Sequence, residues 1–514
     1  MPKTPLFPFA PSSLRTLPTG ALLVTAAVLA GCANSRGLTP HAQTAPDASQ
    51  LDARQVVRRS GLSVTQAWPQ KDWWRGWHDA QLDALIEQGL RQSPTLAQAL
   101  ARVHAAEAQA GYADADRGPT VTASAGYSGV RLPDALLPAN FGGGKFGYKS
   151  DTLGQFKWDV DLWGGKRSTW EALAGEAQAS AIDAEAARIT LSTAIARTYA
   201  QLAGAWMLQD VATADVARNR QMVALQSQRV KTGLDNRITL QQFESELRAA
   251  EQRREQAAQS ITHLQLALAQ LAAMGPDRAL TLKRPRLTPE SMRFAEAVPD
   301  DASVSLMAHR PDVQAALLRV QASSRQIDAA KARFLPNISL GALAGALGNE
   351  HFDLFHLSNV FYQFGPSISL PIFENGRLRA NLDAQDARYE AAVAQYHQTL
   401  LGAAHQVADS VQSAHALKQQ VDEARQSVTA AQQAWTLTRQ RRDSGLLNSI
   451  QVLQVQQQLL GAQQRLAQLQ AQRMDNAIAL TYALGGGYAA DASHAPAAGI
   501  GHDSGTDQHG TAAR

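Results

Sequence analysis

Between Gly165 and Met274 the chain has no proline, and between Lys166 and Thr232 only Gly175 and Gly204 interrupt a run of Ala, Gln, Arg, Glu and Leu. Helix propensity is high throughout this run, and the residues that end a helix are missing from it. A helix is predicted from about Lys166 to Thr232, roughly 100 Å long at ~1.5 Å per residue. That is far beyond the helices of globular domains. The chain breaks at Thr232-Gly233-Leu234-Asp235-Asn236, and a second helix is expected from about Ile238 to Met274. Its apolar positions are Leu240, Phe243, Leu247, Ala250, Ala257, Ile261, Leu264, Leu268 and Leu271, with Arg254 as a charged exception. This 3,4 spacing is that of a face packed on another helix, as in a coiled coil.

The same object occurs twice. Phe373 to Ala495 is again free of proline, and a long run from about Arg377 to Asp443 reaches Ser444-Gly445-Leu446-Leu447-Asn448. It resumes with Val452, Val455, Leu459, Ala462, Leu466 and Leu469. Laying Gly233 on Gly445 also lays Arg229 on Arg441, Asn236 on Asn448 and Ile238 on Ile450, an internal duplication with a period of about 212 residues. One body of two halves is therefore expected, although 514 residues would suffice for several domains.

Ahead of each long helix the period changes. After Pro119, Thr120 to Ser128 alternates apolar and polar residues, and Gln155 to Leu162 alternates without exception. Lys157, Asp159 and Asp161 share one face there, opposite Phe156, Trp158, Val160 and Leu162. The second half repeats the pattern with Asn337 to Ala342 and Tyr362 to Ile372. Strands of ~9–11 alternating residues have the length of membrane-crossing β-strands. Four of them cannot close a barrel, and an open edge in lipid costs several kcal/mol per unpaired group. Either the strands stay out of the membrane, or two, three or four copies share a barrel of 8, 12 or 16 strands. In such a barrel Lys157, Asp159 and Asp161 face a watery lumen, and Phe156 and Trp158 face lipid.

The N-terminus reads as a secretory signal, with Lys3 and Arg15 ahead of a short apolar run, Ala21 to Ala30. It ends in Leu29-Ala30-Gly31-Cys32, which resembles the bacterial lipobox, and Cys32 is the only cysteine of the chain. The resemblance implies cleavage after Gly31 and a covalent lipid on Cys32, with Ala33 in place of the aspartate that retains such proteins in the inner membrane. No other cofactor is expected. Removing residues 1–31 takes away two of 48 bases and no acid, leaving 46 against 45 acids. A net charge near +1 gives no support for nucleic-acid binding. Trp68, Trp73, Trp74 and Trp77 are expected to pack the leading segment onto the body or to sit at a membrane interface, in preference to forming a stacking platform. The expected organisation is a signal peptide over 1–31, a lipid-anchored tether over 32–78, a first repeat over 79–275 and a connection over 276–299. A second repeat over 300–487 and a disordered tail over 488–514 complete it, each repeat running helix, β-hairpin, long helix, helix.

Enzyme chemistry is not expected. Gly142-Gly143-Gly144-Lys145 lacks the Ser/Thr and the following helix of a phosphate loop, since Phe146 comes next and a strand follows. His494, His502 and His509 lie in the tail at no ligand spacing, so no metal site and no catalytic residue is assigned.

The lipobox, the Trp-rich lead-in, Arg310-Pro311-Asp312-Val313, Ala332-Arg333-Phe334-Leu335-Pro336, Leu370-Pro371-Ile372-Phe373-Glu374-Asn375-Gly376 and Leu484-Gly485-Gly486-Gly487 together resemble the lipoprotein outer-membrane factors of the TolC-like family, including the NodT-type subgroup. The resemblance covers essentially residues 32–487. It implies a mainly α fold with a small β part: duplicated helix hairpins forming an α-helical tunnel, and four strands per chain in a shared trimeric transmembrane β-barrel. It implies a homotrimer in outer-membrane lipid, lipid-anchored and extending into the periplasm. Its partners would be a periplasmic adaptor of the membrane-fusion class and an inner-membrane pump of the RND or another class, with no nucleic acid. The function implied is passive conduction of small toxic compounds or drugs out of the cell. By the same resemblance Arg229, Gly233, Arg441 and Gly445 match the family's tip motif, at a periplasmic aperture that opens on adaptor docking. Asp235, Arg237, Arg442 and Asp443 are the charges beside it, and the family's acidic ring falls on no single residue here. The alternatives are a lipid-anchored periplasmic coiled-coil adaptor or scaffold, and an export channel of the same fold for proteins.

Overall fold

The computed structural model describes residues 64–65, 68–131, 133, 135–136, 144–292, 298–299, 309–348, 356–374 and 376–489. The signal peptide, Cys32, Gly142, Gly143 and the three tail histidines lie outside them. In chain order the elements are β1 (Val64–Thr65), a 3-10 turn (Trp73–Trp77), α1 (Ala80–Gln92), α2 (Pro94–Ala115), β2 (Thr120–Arg131) and β3 (Phe146–Val160). Then come α3 (Gly165–Lys231), α4 (Arg237–Leu271), a helical turn at Pro276–Ala279, β4 (Val298–Pro299), α5 (Pro311–Ala332), β5 (Asn337–Gly348) and β6 (Val360–Ser369). The last two are α6 (Arg377–Asp443) and α7 (Ser449–Ala483).

The duplication is carried to the residue. Adding 212 to the ends of α3 (165, 231) and α4 (237, 271) gives the ends of α6 (377, 443) and α7 (449, 483). Both long helices have 67 residues, about 100 Å each. Adding 217 to α2 (94–115) and β2 (120–131) gives α5 (311–332) and β5 (337–348). Short helix and first strand are therefore spaced alike in the two repeats, and the second repeat is five residues shorter from the end of its first strand to the start of its long helix (348 to 377 against 131 to 165).

Two compact units partition the chain. The first, the described residues of 109–173 and 322–390, contains a four-stranded antiparallel sheet in the order β2-β3-β5-β6. The strands have 12, 15, 12 and 10 residues. Directly opposed residues share a face, so the register sorts the side chains. One face carries Val121, Tyr127, Tyr148, Phe156, Trp158, Ile338, Leu340, Tyr362, Phe364 and Ile368. The other carries Thr120, Thr122, Ser124, Lys149, Asp151, Gln155, Lys157, Asp159, Ser339, Gln363 and Ser367, interrupted by Leu153, Leu343, Leu347 and Phe361. Tyr362 and Phe364 are 77% and 79% exposed, so the described residues leave this part of the apolar face uncovered. The last strand stops at Ser369 and not at Ile372 as the alternation suggested, because its partner β5 begins at Asn337, directly after Pro336. In the same unit Ile327, Ala330 and Phe334 pack on Leu378 and Leu382, joining the end of α5 to the start of α6.

The second unit is the described residues of 42–108, 174–321 and 391–514. Its main core sets Trp74, Trp77, Leu82 and Ile86 against Ile195, Tyr199, Leu202, Leu268 and Ile478. The tryptophans of the lead-in are thus core residues of this unit, and Trp68 stacks on His309 with ring centroids 3.8 Å apart. A buried carboxylate, Asp79, caps α1 by accepting from the Gln81 and Leu82 N–H groups, and accepts also from the Tyr199 hydroxyl and the Arg286 N–H. In the second repeat Arg310, directly before α5, pairs with Asp312 at 2.6 Å and donates to Gln406 and to the Ala483 carbonyl. Gly485, Gly486 and Gly487 all have positive φ. A Cβ on them would lie 1.9 Å from the His309 oxygen, 2.3 Å from Ile189 and 2.1 Å from the Gln70 oxygen, so only glycine lets α7 close here. Tyr488, placed in the expected tail, belongs to this unit: its hydroxyl donates to Gln314 and its ring packs on Ala179, Ile182, Ala315 and Leu318.

Candidate functional site

Both hairpin tips are built by one device. At the first, the Leu234 N–H donates to Arg229 O (2.8 Å) and the Gly233 N–H to Val230 O (3.1 Å). At the second, Leu446 donates to Arg441 O (2.9 Å) and Gly445 to Arg442 O (2.8 Å). This is the Schellman closure, which needs a left-handed residue, and Gly233 and Gly445 supply φ of +75° and +77°. The next helix is then started by an asparagine: Asn236 accepts from the Thr239 N–H, and Asn448 from the Gln451 N–H, with Gln451 answering in a capping box. Arg229 and Arg441 thus have matched backbone roles.

Their side chains differ. Arg229 meets Asp235 at 3.4 Å, tying the end of α3 to the loop. The neighbouring Gln226 side chain, the Asn236 N–H and the Arg229 guanidinium hold the Asp235 carboxyl below the usual carboxylate range, although Gln226 stands outside hydrogen-bonding geometry. Arg441 has Leu447 where Arg229 has Asp235. The second tip's ion pair is instead Arg442 with Asp443 at 2.5 Å, neighbours in the last turn of α6. Arg237 is the first residue of α4 and exposed. Beside these tips a groove of about 550 Å³ opens between α3, α6 and α7, lined by Gln221, Leu225, Trp435, Arg439, Arg442 and Leu453. Arg439 lies over the Trp435 ring, 4.9 Å from its centroid. The sequence reading did not single out this pair, although its i, i+4 spacing was visible.

On the polar strand face Lys149 pairs with Asp151 at 3.4 Å and Lys157 with Asp159 at 3.7 Å. Asp159 also faces Lys166 at 3.6 Å. Asp161, expected beside them, is not on the strand. β3 ends at Val160, and the Asp161 carboxylate accepts the backbone N–H groups of Lys166 and Arg167 (3.1 and 2.8 Å), so it satisfies the open start of α3. Asp116, Asp159, Asp161, Lys166, Arg333 and Glu374 line a cavity of about 800 Å³ in this unit.

The family model for the outer membrane efflux protein matches residues 85–274 and 302–486, one segment per repeat. The fusaric acid resistance protein FusA of Burkholderia cepacia is 33% identical over 371 residues, 71% of this chain and 69% of that protein. The multidrug resistance outer membrane protein MdtQ of Escherichia coli O157:H7 is 30% identical over 477 residues, 90% of this chain and 96% of that protein. Among solved structures, the outer membrane protein VceC of Vibrio cholerae is 33% identical with a TM-score of 0.75, covering 82% of this chain and all of that one. CmeC of Campylobacter jejuni, 20% identical over 89% of this chain and 95% of its own, shares the fold with a TM-score of 0.76. Repeated long-helix hairpins, a sheet with one apolar and one polar face, and matches running through both repeats lead to one assignment: the chain belongs to the outer membrane efflux protein family, whose TolC-like members are channels of the outer membrane.

Proposed function

We propose that three copies of the chain close a 12-stranded barrel in the outer membrane and continue it as a helical tunnel into the periplasm, the outer duct of a tripartite pump. The observation that carries this reading is the sheet. It has an apolar face exposed to solvent in the single chain, and its outer strands β2 and β6 have no partner on their free edges among the described residues. In lipid those edges must pair with other copies. The strands' polar face, with Lys157 and Asp159, then lines the lumen. The chain acts as a passive conduit, with no catalytic step and no cofactor. An acyl group on Cys32 anchors it, as the lipobox-like sequence supports. The helix tips around Gly233 and Gly445 receive a periplasmic adaptor, which couples the duct to an inner-membrane pump of the RND or another class. Since relatives are named for resistance to fusaric acid and to multiple drugs, the cargo is a small toxic compound.

The test is extraction from outer-membrane fractions. A heat-modifiable trimer is expected, with crosslinks between copies from cysteines placed on β2 and β6. A monomer recovered with the inner membrane would overturn the reading. Labelling with radioactive palmitate should be lost in Cys32→Ala, and its retention would remove the anchor from the proposal.

A further inference from the structure

The charge of this chain is concentrated at the hairpin tips. The first tip has Arg229, Lys231 and Arg237 against Asp235, and the second has Arg439, Arg441 and Arg442 against Asp443. Three bases against one acid make +2 at each, or +4 together, whereas all 514 residues sum to +3. Everything outside the two tips is therefore net −1.

Local helix stability accounts for part of this. Bases in the last turns of α3 and α6 complement the negative helix ends, which covers Arg229, Lys231, Arg441 and Arg442. It does not cover Arg237, the first residue of α4, where a positive charge opposes the helix dipole. Nor does it explain why the first turns of α4 and α7, where acids would stabilise, contain none. Two of the bases are neutralised by Asp235 and Asp443. Lys231, Arg237 and Arg441 are exposed and have no acid within ion-pair distance among the described residues. The polar face of the strands adds no sign of its own, since Lys149, Asp151, Lys157 and Asp159 cancel.

We infer that the periplasmic aperture is an anion filter: in the trimer, the ring of uncompensated bases from Lys231, Arg237 and Arg441 makes the channel prefer anionic permeants. This rests on the tips forming the narrow end of the duct, as proposed above. Three chains bring twelve net positive charges to that constriction, three times the +4 of each. A ring of charge at a narrow, low-dielectric passage concentrates the opposite ion through its field, without contact to each side chain.

The purified trimer in planar bilayers under a KCl gradient provides the test. The reversal potential should report chloride over potassium, with a permeability ratio above about 3 at low salt. It should collapse toward equal permeability as salt is raised beyond the screening range. The triple variant Lys231→Gln, Arg237→Gln, Arg441→Gln replaces exposed side chains, so the heat-modifiable trimer should persist while the ratio falls to near one. A cation-selective or unselective wild type would overturn the inference and leave the bases to an acidic docking partner. Anion selectivity that survives the triple variant would overturn it too. A wild-type protein that forms no channel at all would instead remove the duct itself.

Discussion

Asp79 gathers four donors onto one buried carboxylate, two from its own helix start, one from Tyr199 on α3 and one from Arg286 in the connection between repeats. Asp79→Ala leaves these donors unmatched and is expected to cost about 2–4 kcal/mol, whereas Tyr199→Phe removes one bond and costs about 1–2 kcal/mol. Thermal melting of the purified protein should rank wild type, Tyr199→Phe and Asp79→Ala in that order. Burial, and then the Asp79 charge and the bond to it, push the Tyr199 phenol well above its ordinary range. The neutral phenol is the form the fold favours. Its contribution is complete below the unfolded value of about 10 and is lost as pH rises from there toward the folded value. Tyr199→Phe should therefore flatten the alkaline loss of stability above that pH. None of this was legible in the sequence, where Asp79 read only as a helix start, because its partners lie 120 and 207 residues away. Asp161 shows the opposite failure. Its odd position continues the alternation of Lys157 and Asp159, and period alone cannot tell a last strand residue from a cap at the start of the next helix.

At the scale of elements, the helices were legible because their breakers are few and strong. Gly233, Gly445 and the asparagines after them mark the turns within a residue or two. Those glycines have nothing within 4 Å of a built Cβ, so Gly233→Ala and Gly445→Ala should cost only the left-handed backbone, about 1 kcal/mol each. Gly485→Ala meets the His309 oxygen at 1.9 Å and should abolish the stable fold, and a melting comparison of the three variants separates strain from collision. The strands were legible in type and not in extent: β2, β3 and β5 are longer than their alternation, and β6 ends three residues before its own does. β5 runs on through Gly341-Ala342-Leu343-Ala344-Gly345-Ala346-Leu347-Gly348, residues of low β propensity whose extended form is imposed by pairing with β3. What makes them strand is the register, and the register also predicts which substitutions lipid would reject. Phe364→Lys on the apolar face should cost about 2–4 kcal/mol in the membrane and deplete the outer-membrane trimer, while Gln363→Lys, one residue away on the polar face, should be accepted. Equal trimer levels in the two variants would show that this face does not meet lipid.

For the whole molecule, the duplication makes two hairpins alike in backbone and unlike in charge. The sequence showed that Leu447 replaces Asp235, and the structure shows what the replacement does. Arg229 to Asp235 ties a helix end to its loop at 3.4 Å, and because Gln226, Asn236 and Arg229 keep Asp235 ionised, that tie persists into the acid range. Arg442 to Asp443 joins neighbours within one turn and restrains nothing beyond it. If the proposed aperture opens by a shift between two packings of these hairpins, the first tip is the restrained one and the second moves more freely. Asp235→Asn should therefore raise single-channel conductance in planar bilayers. Asp443→Asn should raise it much less, because the contact it removes does not bridge elements. The two variants change charge equally, so a common electrostatic effect would move both conductances alike. Only a mechanical tie at the first tip separates them, and equal or absent responses would take the restraint away from Asp235.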